Sequence, residues 1–245
     1  MRRAAAALVA TLVLAGGASA QEQKPLRVFA ASSLTEPFQA FEDDWTADPE
    51  SRPLAFQFAA SSTLAVQIEE GAQADVFATA DEPTMKRVAD KGLVEKPSLF
   101  ARNRLVIAVE EGNPKGIAKL ADLARPDLVV VLAAPEVPAG RYARQLLDGA
   151  KVAVAPKSLE ENVKAVLTKV ALGEADAGIV YASDIESVAD KVDPVTVPEA
   201  ERVEVTYWIA PLRKSAQPDV ARAFVTFVLG AAGRSALQEA GFLLP

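Results

Sequence analysis

The chain has 245 residues, of which 26 are basic and 33 acidic, so its formal net charge is −7. It contains no cysteine and no histidine. These two absences exclude disulfides, thiolate nucleophiles, Ser-His-Asp triads and metal sites built on Cys or His. The acidic balance also argues against nucleic-acid binding, because neutralising phosphates requires a basic surface.

The first twenty residues are predicted to be a cleaved export signal. Arg2 and Arg3 form a positive start, an apolar run follows at 4–15, and Ala-Ser-Ala at 18–20 fits the small-x-small rule for signal peptidase. The apolar run is shorter than a membrane-spanning helix requires, and an uncleaved N-terminal anchor is the alternative. No Cys follows the cleavage point, so no lipid anchor is expected. The mature protein is expected to begin at Gln21, in the periplasm.

After this segment, apolar runs alternate with patterns typical of amphipathic helices. Strands are predicted at 26–31, 54–59, 75–79, 105–109, 129–132 and 179–181. The first helix is predicted to carry Phe38, Phe41 and Trp45, and a second, short helix ends near Gly71. Further helices are predicted at 83–90, 116–124, 139–148, 160–172, 219–229 and 232–240. This alternation predicts an α/β fold with largely parallel sheets covered on both faces.

One five-residue sequence occurs twice. Phe-Ala-Ala-Ser-Ser at 29–33 recurs at 58–62, and each copy ends a predicted strand and opens a predicted helix. Serine hydroxyls and the free N–H groups of a first helical turn suit an anion. Helix capping explains each serine taken alone, and Ser33 with Glu36 fits a capping box. The pair is stronger evidence for a site, because the carboxyl ends of neighbouring parallel strands meet where ligands collect.

Three later segments also place donors where a helix starts or a strand ends. Val-Pro-Ala-Gly at 137–140 opens a predicted helix, Ser-Leu-Glu-Glu at 158–161 fits a capping box, and Tyr181 ends a predicted buried strand. A turn, a cap and a core tyrosine are the ordinary structural explanations. No Lys or Arg occurs in the serine motifs or at 178–183, and Arg141 lies one residue beyond Gly140. A site formed here would hold its anion with neutral donors.

A cage made only of donors selects its anion by protonation state. It suits a fully deprotonated tetrahedral dianion and disfavours hydrogen phosphate, because a P–OH group finds no acceptor. Charge-assisted hydrogen bonds contribute about 1.5–3 kcal/mol each. Six or more are sufficient for micromolar to nanomolar affinity after the costs of association.

Taken together, these motifs resemble those of the periplasmic molybdate-binding proteins of ABC importers. The matching stretches lie at 28–35, 58–64, 71–77, 137–143 and 178–184, in the family order and across nearly the whole mature chain. The resemblance implies the type II periplasmic binding-protein fold, with two α/β lobes joined by two crossing strands. Lobe 1 would comprise residues 21–101 and 205–245, and lobe 2 residues 102–204.

The resemblance also implies which residues hold the oxyanion. They are two serine hydroxyls, two main-chain amides and a tyrosine hydroxyl, from Ser33, Ser61, Ala139, Val163 and Tyr181. Ser32 and Ser62 are the alternatives one place away from the serines, and Asn162 and Lys164 flank the second amide. Molybdenum would be bound only as its oxyanion, without direct metal ligation, and no cofactor is implied. Hinge closure between the lobes would bury the anion.

The expected function is therefore that of a monomeric receptor that binds molybdate, and also tungstate, and delivers it to the membrane permease subunits of an ABC importer. A receptor for sulfate or another tetrahedral oxyanion is the alternative within the same class. An exported serine hydrolase and a partner-binding module without a small ligand are alternatives from other classes. The hydrolase is disfavoured because the chain has neither histidine nor a Ser-x-x-Lys sequence.

Overall fold

The computed structural model describes residues 24–47 and 51–245, so the expected export signal at 1–20 lies outside the described residues. The strands are β1 (Leu26–Ala31), β2 (Leu54–Ala59), β3 (Val76–Thr79), β4 (Ser98–Asn103), β5 (Leu105–Glu110), β6 (Val130–Ala133), β7 (Ser158–Glu160), β8 (Ala177–Tyr181), β9 (Val192–Val195) and β10 (Val205–Pro211). The α-helices are α1 (Thr35–Thr46), α2 (Ser61–Glu69), α3 (Glu82–Asp90), α4 (Pro138–Ala150), α5 (Val163–Ala171), α6 (Ala182–Ile185), α7 (Pro218–Leu229) and α8 (Ala231–Glu239).

The strands form two five-stranded sheets of the same design. The first has the order β2-β1-β3-β10-β4 and the second the order β7-β6-β8-β5-β9. In each sheet the first three strands are parallel, and one strand, β10 or β5, runs antiparallel to both of its neighbours. The α/β class predicted from the sequence is confirmed, with sheets that are mixed.

The chain crosses between the two sheets twice. It leaves the first sheet at the end of β4 and enters the second at β5, with Arg104 alone between the two strands. It returns between β9 and β10. The second sheet is therefore built from one continuous segment, and the first from the two segments on either side of it.

The first predicted helix packs as its pattern indicates. Phe38, Phe41 and Trp45 on α1 are all buried in the core. Their rings contact Phe224 and Phe227 of α7, with centroids 5.2–6.2 Å apart and edge-on geometry. Such contacts add to the stabilisation that burial itself provides. They pack the C-terminal helix α7 against α1.

Several elements differ from the sequence prediction. The helix predicted at 116–124 is a short 3-10 turn, Leu120–Ala124, because the Asp122 carboxylate accepts from the N–H groups of Ala118 and Lys119 just before it. Strands β4, β9 and β10 were not predicted; the first two carry polar residues or proline, which hide a strand pattern in the sequence.

The capping box predicted at 158–161 is wrong. Ser158–Glu160 forms the edge strand β7, and both side chains bond to Lys169 instead of capping a helix. Helix α5 starts three residues later, where the Asn162 side chain accepts from Ala165 N at 3.0 Å. Asparagine is as good an N-cap as serine, and Ser158 is taken up by the pairing of β7 with β6, so the helix begins at Asn162.

No single helix in the described ranges is long and apolar enough to span a membrane. Helices α7 and α8 meet the length and composition criterion only as a pair, bent by 56° at their junction.

Gly140 allows α4 to pack directly on the end of β6. A Cβ at this position would lie 2.0 Å from the carbonyl oxygen of Ala134 and 2.5 Å from that of Ala133. Both neighbours are backbone atoms, which cannot rotate away. The absence of a side chain at Gly140 therefore fixes where the first turn of α4 lies.

We expect Gly140→Ala to lower the free energy of unfolding by about 1–3 kcal/mol or more, the usual cost of overpacking. Urea denaturation of the mature chain measures it. Gly149→Ala in the same helix is the matched control, since its Cβ meets no atom within 4 Å and alanine favours a helix by about 0.5–1 kcal/mol. Equal effects of the two substitutions would contradict the packing argument.

Candidate functional site

Residues from both sheets line one small cavity. The side of the first sheet contributes Ala31, Ser32, Ser33, Ala59, Ala60, Ser61 and Ala80, and that of the second contributes Val137, Pro138, Ala139, Val163 and Tyr181. The structure thus brings together all five residues predicted from the sequence. Of the alternative positions, Ser32 also lines the cavity, whereas Ser62, Asn162 and Lys164 are not among its lining residues.

The two serine motifs lie side by side at the ends of adjacent strands. Strands β1 and β2 are parallel, and their last residues, Ala31 and Ala59, are register partners. Ser33 follows in a 3-10 turn, Ser32–Leu34, and Ser61 is the first residue of α2. Both serines are almost fully buried. The predicted edge where neighbouring strand ends meet is therefore the wall of the cavity.

Neither serine acts as a helix cap. The N-cap positions are Ala31 and Ala60, and no side-chain capping bond is present at either helix start. Ser61 Oγ instead accepts from the Ala80 amide at 3.0 Å, and Ser33 Oγ lies 2.9 Å from Tyr207 Oη. The capping interpretation of the motifs is wrong, and both hydroxyls remain next to the cavity.

The opposite wall contributes main-chain amides. Ala139 lies in the first turn of α4, and Val163 is the first residue of α5. Backbone N–H groups in a first turn have no partner within their helix. The positive ends of the two helix dipoles therefore add to these donors and favour an anion.

Tyr181 supplies a further donor at the end of β8. Its side chain is 1% exposed, and among the described residues its hydroxyl has no hydrogen-bond partner. Burial raises the pKa of Tyr181 well above its usual value, and nearby Tyr207 raises this pKa further. The hydroxyl therefore keeps its proton. A buried donor without an acceptor is costly, so this group is prepared for a ligand.

Among the residues that the structure describes, no Lys or Arg side chain lines the cavity. Arg141 turns away to the carboxylate of Asp81, with Nε 2.8 Å from Oδ2. Lys164 Nζ lies 2.8 Å from Glu36 Oε1 and 3.4 Å from Asp184 Oδ1. Both cations are thus paired with carboxylates. Arg141 and Asp81 follow strands of different sheets, as do Lys164 and Glu36.

The described residues contain no group of three or more acidic side chains placed to hold a metal ion. The donor set is that of an oxyanion site, since hydroxyls and amides offer protons where a cation would need lone pairs. These residues fit a bound anion and do not fit a bare metal ion.

Sequence reasoning missed two residues that shape the site. The first is Ala80, which follows β3 and donates its amide to Ser61 Oγ. Because β3 is parallel to β1, the expectation that ligands collect at neighbouring strand ends also applies to the end of β3 and could have identified Ala80. Tyr207 lies on β10, a strand that was not predicted, and 174 residues separate it from Ser33. No local pattern in the sequence points to that contact.

Asp184 is a buried carboxylate just beyond Tyr181. Its side chain is fully buried, and burial raises its pKa from 3.8 to about 6, although the ion pair with Lys164 opposes this shift. Glu36, held by the same lysine, raises the pKa further. The folded state binds the Asp184 proton more tightly than the unfolded chain does. Protonation of Asp184 therefore stabilises the fold fully below about pH 4. This stabilisation is lost as the pH rises through about 6.

We expect Asp184→Asn to remove this loss. The unfolding free energy of the variant, relative to wild type, should rise by about 2–3 kcal/mol between pH 4 and pH 7, at 1.36 kcal/mol per pKa unit. Urea denaturation at several pH values measures the difference. Asp148→Asn, at an exposed position of α4, is the control and should show no such trend. If the difference in unfolding free energy between wild type and Asp184→Asn stays constant with pH, the raised pKa of Asp184 is refuted.

Comparison with known proteins identifies the family of this chain. Residues 26–243 match the family of bacterial extracellular solute-binding proteins. The molybdate-binding protein ModA of Mycobacterium tuberculosis is 44% identical to this chain over 98% of this chain and 95% of the relative. ModA of Escherichia coli is 33% identical, with 96% of this chain and 94% of the relative covered.

A solved structure, the periplasmic molybdate-binding protein of Azotobacter vinelandii, shares the fold. The TM-score is 0.75 at 20% identity, and the match covers 90% of this chain and 99% of the other. The expected type II periplasmic binding-protein fold is thereby confirmed. Because the family match spans nearly all of the described chain and the relatives are covered almost end to end, this protein belongs to the family of bacterial extracellular solute-binding proteins.

Proposed function

We propose that this protein is the molybdate receptor of an ABC importer and that it binds the oxyanion in the cavity between its two sheets. The observation that carries the proposal is the donor set of that cavity. Two serine hydroxyls, two first-turn amides and a buried tyrosine hydroxyl meet there; within residues 24–47 and 51–245 that hydroxyl has no partner and no cation lines the cavity. The relatives named molybdate-binding proteins support the choice of ligand.

Each proposed contact has one role. Ser33 and Ser61 donate from the side of the first sheet, and the amides of Ala139 and Val163 donate from the opposite wall. Tyr181 completes the cage. Tungstate has the same charge and tetrahedral shape as molybdate, so the same cage accepts it. Hydrogen phosphate carries a proton that needs an acceptor; the two amides provide none, and a hydroxyl can accept it only by turning its own proton away from the anion.

The proposed lobes follow the two sheets, except that Arg102 and Asn103 belong to β4 of the first sheet. Residues 21–101 with 205–245 would form one lobe, and residues 102–204 the other. Closure about the two crossings would bury the anion and place Ser33 opposite Tyr181. The permease subunits would then recognise the closed, loaded form. This recognition requires no second copy of the chain, so the proposed receptor is a monomer.

The cavity supports binding rather than catalysis. A serine nucleophile requires a base within hydrogen-bond reach. Ser61 Oγ accepts from an amide, and the neighbour of Ser33 Oγ is a phenol whose raised pKa keeps it protonated. We therefore propose no enzymatic activity and no cofactor. The acidic chain is also proposed to bind no nucleic acid.

The proposed site of action is the periplasm. The leader at 1–20 would direct export and be removed after Ala20. No Cys follows this position to accept a lipid, so the mature receptor would diffuse freely between its source of oxyanion and the permease.

Isothermal titration of the mature chain tests the ligand class. We expect binding of molybdate and tungstate at micromolar or tighter affinity and no heat with phosphate at pH 7, with sulfate as the competing dianion. Heat with sulfate alone would make this protein a sulfate receptor. Absence of heat with both molybdate and tungstate would refute the proposal.

Tyr181→Phe tests the site. The substitution removes one donor to a charged ligand, and we expect molybdate binding to weaken by about 1–3 kcal/mol. Tyr142→Phe is the matched control, because Tyr142 packs against Tyr181 but its hydroxyl accepts from Thr206 N at 3.3 Å. Unchanged affinity in Tyr181→Phe would remove this hydroxyl from the site.

A further inference from the structure

Tyr207 lies directly behind Ser33 and outside the cavity. Its side chain is fully buried on β10, and its hydroxyl is 2.9 Å from Ser33 Oγ. It is not one of the residues that line the cavity. The contact joins two hydroxyls, either of which can donate, so its direction has to be derived from the other partners of the two groups.

Asn103 determines the direction at the phenol. Its Oδ1 accepts from Arg104 N at 2.9 Å, which places the amide nitrogen on the opposite side. That nitrogen carries two protons, and one is donated to Ser183 Oγ at 2.8 Å. The other proton is free for the Tyr207 hydroxyl, and the Asn103 side chain opposes the rise in the pKa of Tyr207 that burial causes, as a donor to the phenol oxygen would. The phenol oxygen therefore accepts from Asn103.

The remaining proton positions follow in sequence. Because the oxygen of Tyr207 accepts from Asn103, its single proton is free for Ser33 Oγ. Ser33 then accepts from behind and directs its own proton away from Tyr207, toward the cavity. The Ser61 hydroxyl is oriented in the same way. Its oxygen accepts from the Ala80 amide, which can only donate, so its own proton points elsewhere.

We propose that Tyr207 is a positioning residue that fixes Ser33 as a donor to the bound oxyanion and thereby contributes to the rejection of protonated oxyanions. The inference rests on the proposed function, since it concerns the same cavity. A serine free to rotate can accept from a P–OH group, whereas a serine held by Tyr207 keeps its proton directed at the ligand. Tyr207 thus acts on selectivity without touching the anion.

Tyr207→Phe tests the inference by titration with molybdate and with phosphate at pH 7. We expect molybdate affinity to fall by about 5- to 50-fold, as for other losses of one hydrogen-bond partner. Phosphate affinity should fall less or rise, so that the molybdate-to-phosphate ratio drops by about tenfold or more. Tyr142→Phe, which removes a buried phenol hydroxyl not bonded to Ser33, should leave the ratio unchanged.

A double-mutant cycle separates positioning from simple structural support. In a Ser33→Ala background, Tyr207→Phe should change molybdate affinity by less than about twofold, because the group through which it acts is gone. An equal loss with and without Ser33 would overturn the inference. So would unchanged molybdate affinity in Tyr207→Phe. If wild type itself failed to bind molybdate, the proposed function would fall instead.

Asn103→Asp provides a second test if Tyr207→Phe does not fold. A carboxylate at 103 accepts the Tyr207 proton, which forces Ser33 to donate backward to the phenol oxygen. We expect molybdate affinity to drop at least as much as in Tyr207→Phe, with thermal unfolding as the check on folding. Retained wild-type affinity in Asn103→Asp would overturn the proposed chain of donors.

Discussion

Buried hydrogen-bond donors that lack acceptors destabilise a folded protein, and most native structures contain few of them. This protein concentrates several at one place. The hydroxyl of Tyr181 is buried without a partner among the described residues, and two helices turn the free amides of their first turns to the same cavity. Binding of the proposed anion, which has several lone pairs, would recover this cost. The arrangement of strand ends, helix starts and tyrosines around the cavity is explained by that requirement.

The electrostatics of the region follow from the same constraint. An acidic protein needs a local positive potential to hold a dianion, and helix dipoles provide it without a side-chain cation. Arg141 and Lys164 lie close by, but carboxylates neutralise both of them. A free ammonium or guanidinium in the cavity would bind many anions whether or not they are protonated. Neutral donors instead favour an anion that carries no proton of its own, because their N–H and O–H groups need acceptors.

Much of this architecture was predictable from local sequence. The alternation of apolar runs and helical patterns gave the α/β class, and the repeated Phe-Ala-Ala-Ser-Ser sequence pointed to two neighbouring strand ends, which the register of Ala31 with Ala59 bears out. The start of α4 was marked by Pro138. These features are local, because a proline or a strand end acts within a few residues.

Other features depend on contacts that are distant in sequence. The mixed character of the sheets arises from β10 and β5, whose direction depends on the crossings between the sheets rather than on their own residues. Asn162 prevailed over Ser158 as a helix cap because Ser158 was drawn into strand pairing at the sheet edge. The partner of Ser33 lies on a strand that returns from the second sheet.

Alanine is the most frequent residue around the cavity, at positions 31, 59, 60, 80 and 139. A methyl group has no rotamers, so it neither swings aside for a bulkier guest nor reaches inward for a smaller one. The shape of each wall is consequently set by its own main chain. S–O bonds are shorter than Mo–O bonds, so sulfate and molybdate would meet these methyl-lined walls differently in the proposed site. In the proposed receptor, the bond lengths of the anion would then matter beside its protonation state.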